Sequence, residues 1–117
     1  MGIERIIGDW VGSILGVSVW EASQPPEQRE GITVRLLNTV SNWDCNLHTI
    51  EILVFKHSYS GSRDDADTLY LKVGERIGFC DGWAFKEVLS RSYLGVDLIG
   101  RYVSSLKINI LEEKNGL

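Results

Sequence analysis

Apolar residues recur with helical spacing at the start of the chain. Ile3, Ile6, Ile7, Trp10 and Ile14 fall at i, i+3, i+4, i+7 and i+11, an amphipathic stripe. The spacing predicts a helix over residues 3–15, closed by Gly16, which can enter the left-handed conformation of a C-cap. Gly8 and Gly12 fall on the opposite side, beside Arg5 and Asp9. Each weakens a helix by about 1 kcal/mol relative to alanine. They mark either a weak surface helix or a close approach by a neighbouring subunit.

The period then changes to two. A short strand is expected over residues 17–21. The polar segment 22–31 holds both prolines, Pro25 and Pro26, and reads as a loop. Ile32, Val34 and Leu36 alternate with Thr33, Arg35 and Leu37, a second strand over 32–37, and residues 38–46 connect onward as a wide hairpin. The third strand, 47–57, has an inner row of Ile50, Ile52 and Val54 and an outer row of Thr49, Glu51, Leu53 and Phe55. The outer row starts polar and ends apolar, and Leu37 and Leu111 are expected to extend that apolar end. Unless a loop or the first helix covers it, such a patch is a contact surface.

Ser62-Arg63-Asp64-Asp65 has capping-box form and predicts a second helix over 63–77, with Ala66, Leu69, Tyr70, Val73 and Ile77 buried and Leu71 facing away. Gly78 or Gly82 would end it. Residues 83–91 are expected to be a strand. The stretch 93–111 is a Gly- and Asp-bearing turn feeding a long strand, with Tyr102, Ser104, Leu106, Ile108 and Ile110 on one face and Val103, Ser105, Lys107, Asn109 and Leu111 on the other. The order α-β-β-β-α-β-β predicts an α+β fold: one mainly antiparallel sheet of four to five strands with two helices on one face, in a single domain spanning 1–117.

With 44% apolar and 24% charged residues the chain can build a packed core. A net charge of −4 argues against sequence-specific nucleic-acid binding, which usually needs a basic patch. Cys45 and Cys80 are far apart, so reduced thiols are expected. No apolar run reaches spanning length, so no membrane partner is expected.

Tests for chemistry point away from a site. Asp44, Cys45 and His48 include a Cys-x-x-His spacing but lack a second ligand pair. A Cys–His nucleophile pair would lack an oxyanion-hole glycine motif. Ser60-Gly61-Ser62 and the aspartates 64, 65 and 67 read as helix capping. No catalytic, cofactor-binding or metal-ligating residue is expected. Trp20 and Trp43, near loops, could anchor an interface.

The pattern Gly95-x-Asp97-x-x-Gly100-Arg101-Tyr102 after Tyr93-Leu94, followed by a long alternating strand, resembles the end of small tail terminator (tail completion, or minor capsid) proteins of long-tailed bacteriophages. The segment 48–76 adds weaker support, and the order of elements agrees over nearly the whole chain. Leu98-Ile99 stand where that family pattern has polar or acidic residues, which marks a local contact. The resemblance implies a ring, most often a hexamer, that caps the head-proximal end of the tail tube, stops tube polymerisation and docks on the head connector or stopper. It implies residence in the virion tail or neck after assembly in the bacterial cytoplasm, and carries no catalytic residues or cofactor.

A ring of identical subunits needs head-to-tail contacts that close. The surfaces left over from folding are Leu71, the Gly8/Gly12 face, Leu98 and Ile99, and the outer apolar end formed by Leu37, Leu53, Phe55 and Leu111. The alternatives are another neck component, a small inhibitor or immunity-type binding protein, and a small enzyme using Asp44, Cys45 or His48.

Overall fold

The computed structural model describes residues 2–76 and 82–114. Among them the order is α1 (Ile3–Leu15), β1 (Val19–Glu21), β2 (Gly31–Ser41), β3 (Cys45–Lys56), α2 (Tyr59–Glu75), β4 (Trp83–Val96) and β5 (Tyr102–Glu113). The fold is α+β with the expected order of elements. The five strands form one sheet in the order β1-β2-β3-β5-β4. Only β1 and β2 are parallel; the other pairs are antiparallel. The inner row of β5 lies beside that of β3, with Ile50 opposite Ile108 and Ile52 opposite Leu106. Both helices pack on this face, and Ile7, Val11, Leu69 and Val73 join the strand residues in the main core.

Gly16 closes α1 as expected, with φ 66° and its N–H donating to the Gly12 carbonyl at 2.8 Å. The buried line of α1 is Ile3, Ile7 and Val11, with Ile6, Trp10 and Ile14 half-buried beside it. The glycine face is not free. Gly8 is buried, and a Cβ there would sit 3.2 Å from Val19 Cγ1; one at Gly12 would sit 3.7 Å from the Val17 carbonyl oxygen. The close neighbour is this chain's own β1 segment, which corrects the expectation of a neighbouring subunit at Gly8 and Gly12.

The expected connector 38–46 is mostly strand. The β2–β3 pairing continues to Ser41 and Asn46, and the turn closes where Asn42 N–H donates to the Cys45 carbonyl at 2.9 Å. One extra residue, Leu37, sits between the pairs Leu36–Ile50 and Asn38–Thr49. A bulge shifts the alternation by one position, so the apolar pattern of β2 breaks at Leu36-Leu37 although the strand goes on. The same device recurs between β4 and β5, where the register shifts at Phe85/Glu87, Val88/Ser90 and Tyr93/Gly95. The strand expected over 83–91 therefore runs on to Val96.

α2 starts a turn earlier than the capping box suggests. Ser58 is the N-cap, and its Oγ accepts from Gly61 N–H at 3.0 Å. Ser62 is buried inside the helix, with its Oγ 2.7 Å from Ser104 Oγ and 3.2 Å from the Val54 carbonyl oxygen. The aspartates thus miss the first turn, and Asp65 pairs with Lys56 at 3.0 Å instead. Ala66, Leu69 and Val73 are buried as expected. Tyr70 is exposed, its ring 4.3 Å from the Arg91 guanidinium carbon. Ile77 and Gly78 lie outside the described residues; Gly82 directly precedes β4 and does not end α2. Trp10 meets Trp83 and Phe85 edge-on, with ring centroids 6.2 and 4.9 Å away, closing the core at the start of β4.

Strands of this length give the molecule its long dimension of 46 Å against 25 and 22 Å. The β2–β3 turn lies at one end of the sheet, where Cys45 pairs with Glu113, and the β4–β5 turn at the other, where Lys56 pairs with Tyr102. Among the described residues no helix is long and apolar enough to cross a membrane.

Candidate functional site

The β4–β5 turn is built around Asp97. Its Oδ1 accepts from Ile99 N–H at 3.1 Å and from Arg101 N–H at 2.8 Å, and Oδ2 accepts from Arg101 Nε at 2.9 Å. Gly100, at φ 89°, supplies the left-handed step that an L side chain disfavours. Burial pushes the Asp97 carboxyl up, but the Arg101 N–H, the Arg101 guanidinium and the Ile99 N–H together outweigh it and hold its pKa below the usual carboxylate value.

Arg101 is the anchor beneath this turn. Its side chain is 2% exposed. Nη1 donates to the carbonyls of Pro25 at 2.6 Å and Arg29 at 3.0 Å, and the guanidinium carbon lies 4.6 Å from the centre of the Phe55 ring. One cation thereby ties the hairpin to the proline loop and to β3. The loop is also held where Thr33 Oγ1 donates to the Ser23 carbonyl at 2.7 Å and His57 N–H donates to Glu30 at 2.7 Å. It lies over the outer sheet face, where Leu53, Phe55 and Val103 form a second small core.

That arrangement corrects the expected outer contact patch. Leu53 and Phe55 are buried. Leu111 is only partly buried, but it pairs with Leu47, eight residues along β3 from Phe55, or about 26 Å at strand rise. Leu37 is exposed in the β2 bulge. These four residues do not form one surface.

The structure does bring Leu98 and Ile99 together with Leu94 and Val96 at the β4–β5 end, all four exposed, with Leu98 at 106%. The internal bonds of Asp97 fix the shape of this tip without using these side chains, so their apolar surface faces solvent. At the far end Val40 and Trp43 are exposed, Trp43 at 93%. Leu71, 65% exposed, lines a groove of about 510 Å³ between α2 and β4 with Tyr70, Phe85 and Val88. A narrower cleft of about 250 Å³ on the same side is polar, lined by Tyr59, Arg63, Arg91 and Tyr93. There the Tyr59 hydroxyl accepts from Arg63 at 3.0 Å and, with Asp67 nearby, raises the pKa of that guanidinium.

The sequence cluster Asp44, Cys45, His48 comes apart on the strand. Residues three apart on a strand point to opposite faces, and Cys45 pairs with Glu113 whereas His48 pairs with Ile110 of the core-facing row. Among the described residues no group of three His, Cys, Asp or Glu could hold a metal. His48 instead is buried between Thr39, whose Oγ1 lies 2.8 Å from Nδ1, and Glu112, whose Oε1 lies 2.8 Å from Nε2. This hydroxyl–imidazole–carboxylate row spans three neighbouring strands and clasps the sheet at its β2–β3 end. Glu51, also buried, accepts from Arg35 Nε at 2.7 Å and from Ser105 Oγ at 2.9 Å. The row through Thr39 and Glu112 is not evident from spacing, because its members are 9 and 64 residues from His48.

The chain matches no protein-family model and no curated protein by sequence.

Proposed function

We propose that this protein is a structural component of a long-tailed phage virion. In this reading identical copies close into a ring on the head-proximal end of the tail tube, end tube growth and present the surface on which the head connector docks. The observation that carries the reading is the β4–β5 hairpin. The residues behind the resemblance, Asp97, Gly100 and Arg101, build a turn held by its own hydrogen bonds and tied to the proline loop, while Leu94, Val96, Leu98 and Ile99 stay exposed on it, Leu98 fully. Fixed backbone beneath exposed apolar side chains is what a docking tip needs, since little order is lost on binding. The element order and the two helices on one sheet face agree with the architecture that the resemblance implies.

The test is electron microscopy of particles assembled without the protein. Overlong or headless tails are the expected outcome. Normal tails on heads that leak their DNA would assign it to the head-side stopper instead, and normal infectious particles would refute a virion role.

A further inference from the structure

We infer that, within the ring just proposed, neighbouring copies join by continuing the sheet, the outer edge of β4 in one copy pairing antiparallel with the β1–β2 edge of the next. Beyond the Arg76–Trp83 bond at its start, no further strand among the described residues pairs with that edge of β4. β2 has an open stretch: β1 covers only Ile32–Val34, and the Leu36 N–H donates to Glu4 Oε2 of α1 at 3.1 Å, leaving 37–41 with β3 on one side alone. That stretch, Leu37-Asn38-Thr39-Val40-Ser41, has no charged residue and no Pro, and Arg35 just before it is paired with Glu51 at 2.5 Å. Proteins normally blunt an exposed edge with charges or proline, so this one is built to be covered.

The two edges match in polarity, height and charge. β2 and β4 run in opposite directions, by the antiparallel steps β2–β3, β3–β5 and β5–β4. Rotation about a ring axis parallel to the strands keeps those directions, so β4 of one copy meets the next β2 antiparallel. Following the register across the sheet, Asn38 is level with Thr49, Asn109 and Glu87, and Ser41 with Asn46, Glu112 and Trp83. The open stretch of β2 is therefore level with the first half of β4, and pure rotation brings them together, as a closed ring demands. Continuing upward, Glu21 on β1 is level with Val34, Ile52, Leu106 and Arg91. An exposed acid on one edge thus faces an exposed base on the other, on the same side of the sheet. Arg91 lies over the Tyr70 ring and pairs with Asp67 at 3.2 Å on the surface; that surface ion pair is readily exchanged. The bulges along β4 add the bend that a sheet wrapped around a ring requires.

This rests on the ring reading, and the experiment separates the two. In the full chain carrying Cys45→Ser and Cys80→Ser, Asn38→Cys and Glu87→Cys are introduced singly and together, and a short bismaleimide is added. Within one chain the two positions are three strand spacings apart, about 14 Å, beyond a short linker. The expected result is a ladder of covalent oligomers ending in one closed species, seen only with both cysteines. A covalent dimer from Asn38→Cys alone would mean two-fold β2 pairing and overturn the inference. Oligomers seen by native mass spectrometry of the same sample without any ladder would overturn this contact and leave the ring standing. Monomer throughout, with tail tubes added, would sink the ring reading itself. As a second measurement with the surface charges alone changed, Glu21→Arg and Arg91→Glu should each lower the oligomer fraction severalfold, and the double reversal should restore it; no loss in either single variant counts against the edge contact.

Discussion

Replacing Arg101 with alanine is the most informative perturbation of the fold. The side chain is almost wholly buried and bonds Asp97 and the carbonyls of Pro25 and Arg29 while stacking on Phe55. Its removal leaves a carboxylate and two carbonyls short of a donor beneath the loop. Breaking one side of a buried ion pair costs about 3–5 kcal/mol. Against a typical total of about 5–15 kcal/mol, that is a large share of the stability. Urea unfolding read by tryptophan fluorescence should show the midpoint shift at unchanged slope. Arg101→Lys should recover only part of the loss, because an ammonium cannot reproduce the planar fork. Asp97→Asn keeps an acceptor for the Ile99 and Arg101 N–H groups and should cost less than Arg101→Ala, and the double variant should cost less than the sum of the two singles. A loss below about 1 kcal/mol for Arg101→Ala, the level of a surface pair, or strict additivity with Asp97→Asn, would refute the anchoring role.

The Asp97 pKa is lower in the folded chain than in the unfolded one, so its contribution is complete above the unfolded value of about 3.9 and is lost as pH falls through the folded value; the stability gap between wild type and Asp97→Asn at pH 7 should close on acidification below about pH 4. Ser62→Ala strands the buried Ser104 hydroxyl, 2.7 Å away, and should cost about 1–3 kcal/mol, whereas Ser62→Ala with Ser104→Ala should cost less than the sum of the singles in thermal melts. Gly31→Ala would place a Cβ 2.3 Å from Trp20 Cζ3 and should destabilise by about 1–3 kcal/mol through displacement of β1, with a change in tryptophan emission.

Much of the fold can be read from the chain because α1, β3 and β5 keep an unbroken period: the apolar residues of their main-core side recur at 3.6 or 2. Reading fails where local chemistry outranks pattern. The bulge at Leu37 moves the later residues of β2 by one place, so Asn38–Ser41 look like loop while pairing with β3. At α2, Ser58 and Ser62 both fit an N-cap by composition; the deciding fact is that Ser62 is drawn into the core by Ser104, 42 residues away. Leu53 and Phe55 look like unused apolar surface because nothing local shows that the proline loop returns over them, held by an arginine 76 residues beyond Pro25. The tip is the opposite case. Asp97, Gly100 and Arg101 act within one turn, so their shaping role is visible in sequence, and Leu98 and Ile99 are exposed because every bond of that turn is made by its polar groups. What the tip touches depends on another surface, and a single chain does not encode that locally.

The most direct test of the proposed role is tube growth in vitro. Purified protein is added to polymerising tail tubes and lengths are measured by electron microscopy over time. The account predicts that growth stops at saturating protein, that one end of each tube carries a ring, and that Leu98→Ser with Ile99→Ser weakens this capping without altering the urea midpoint. Tubes that lengthen at the same rate with the protein as without it, and show no added density at either end, would contradict it.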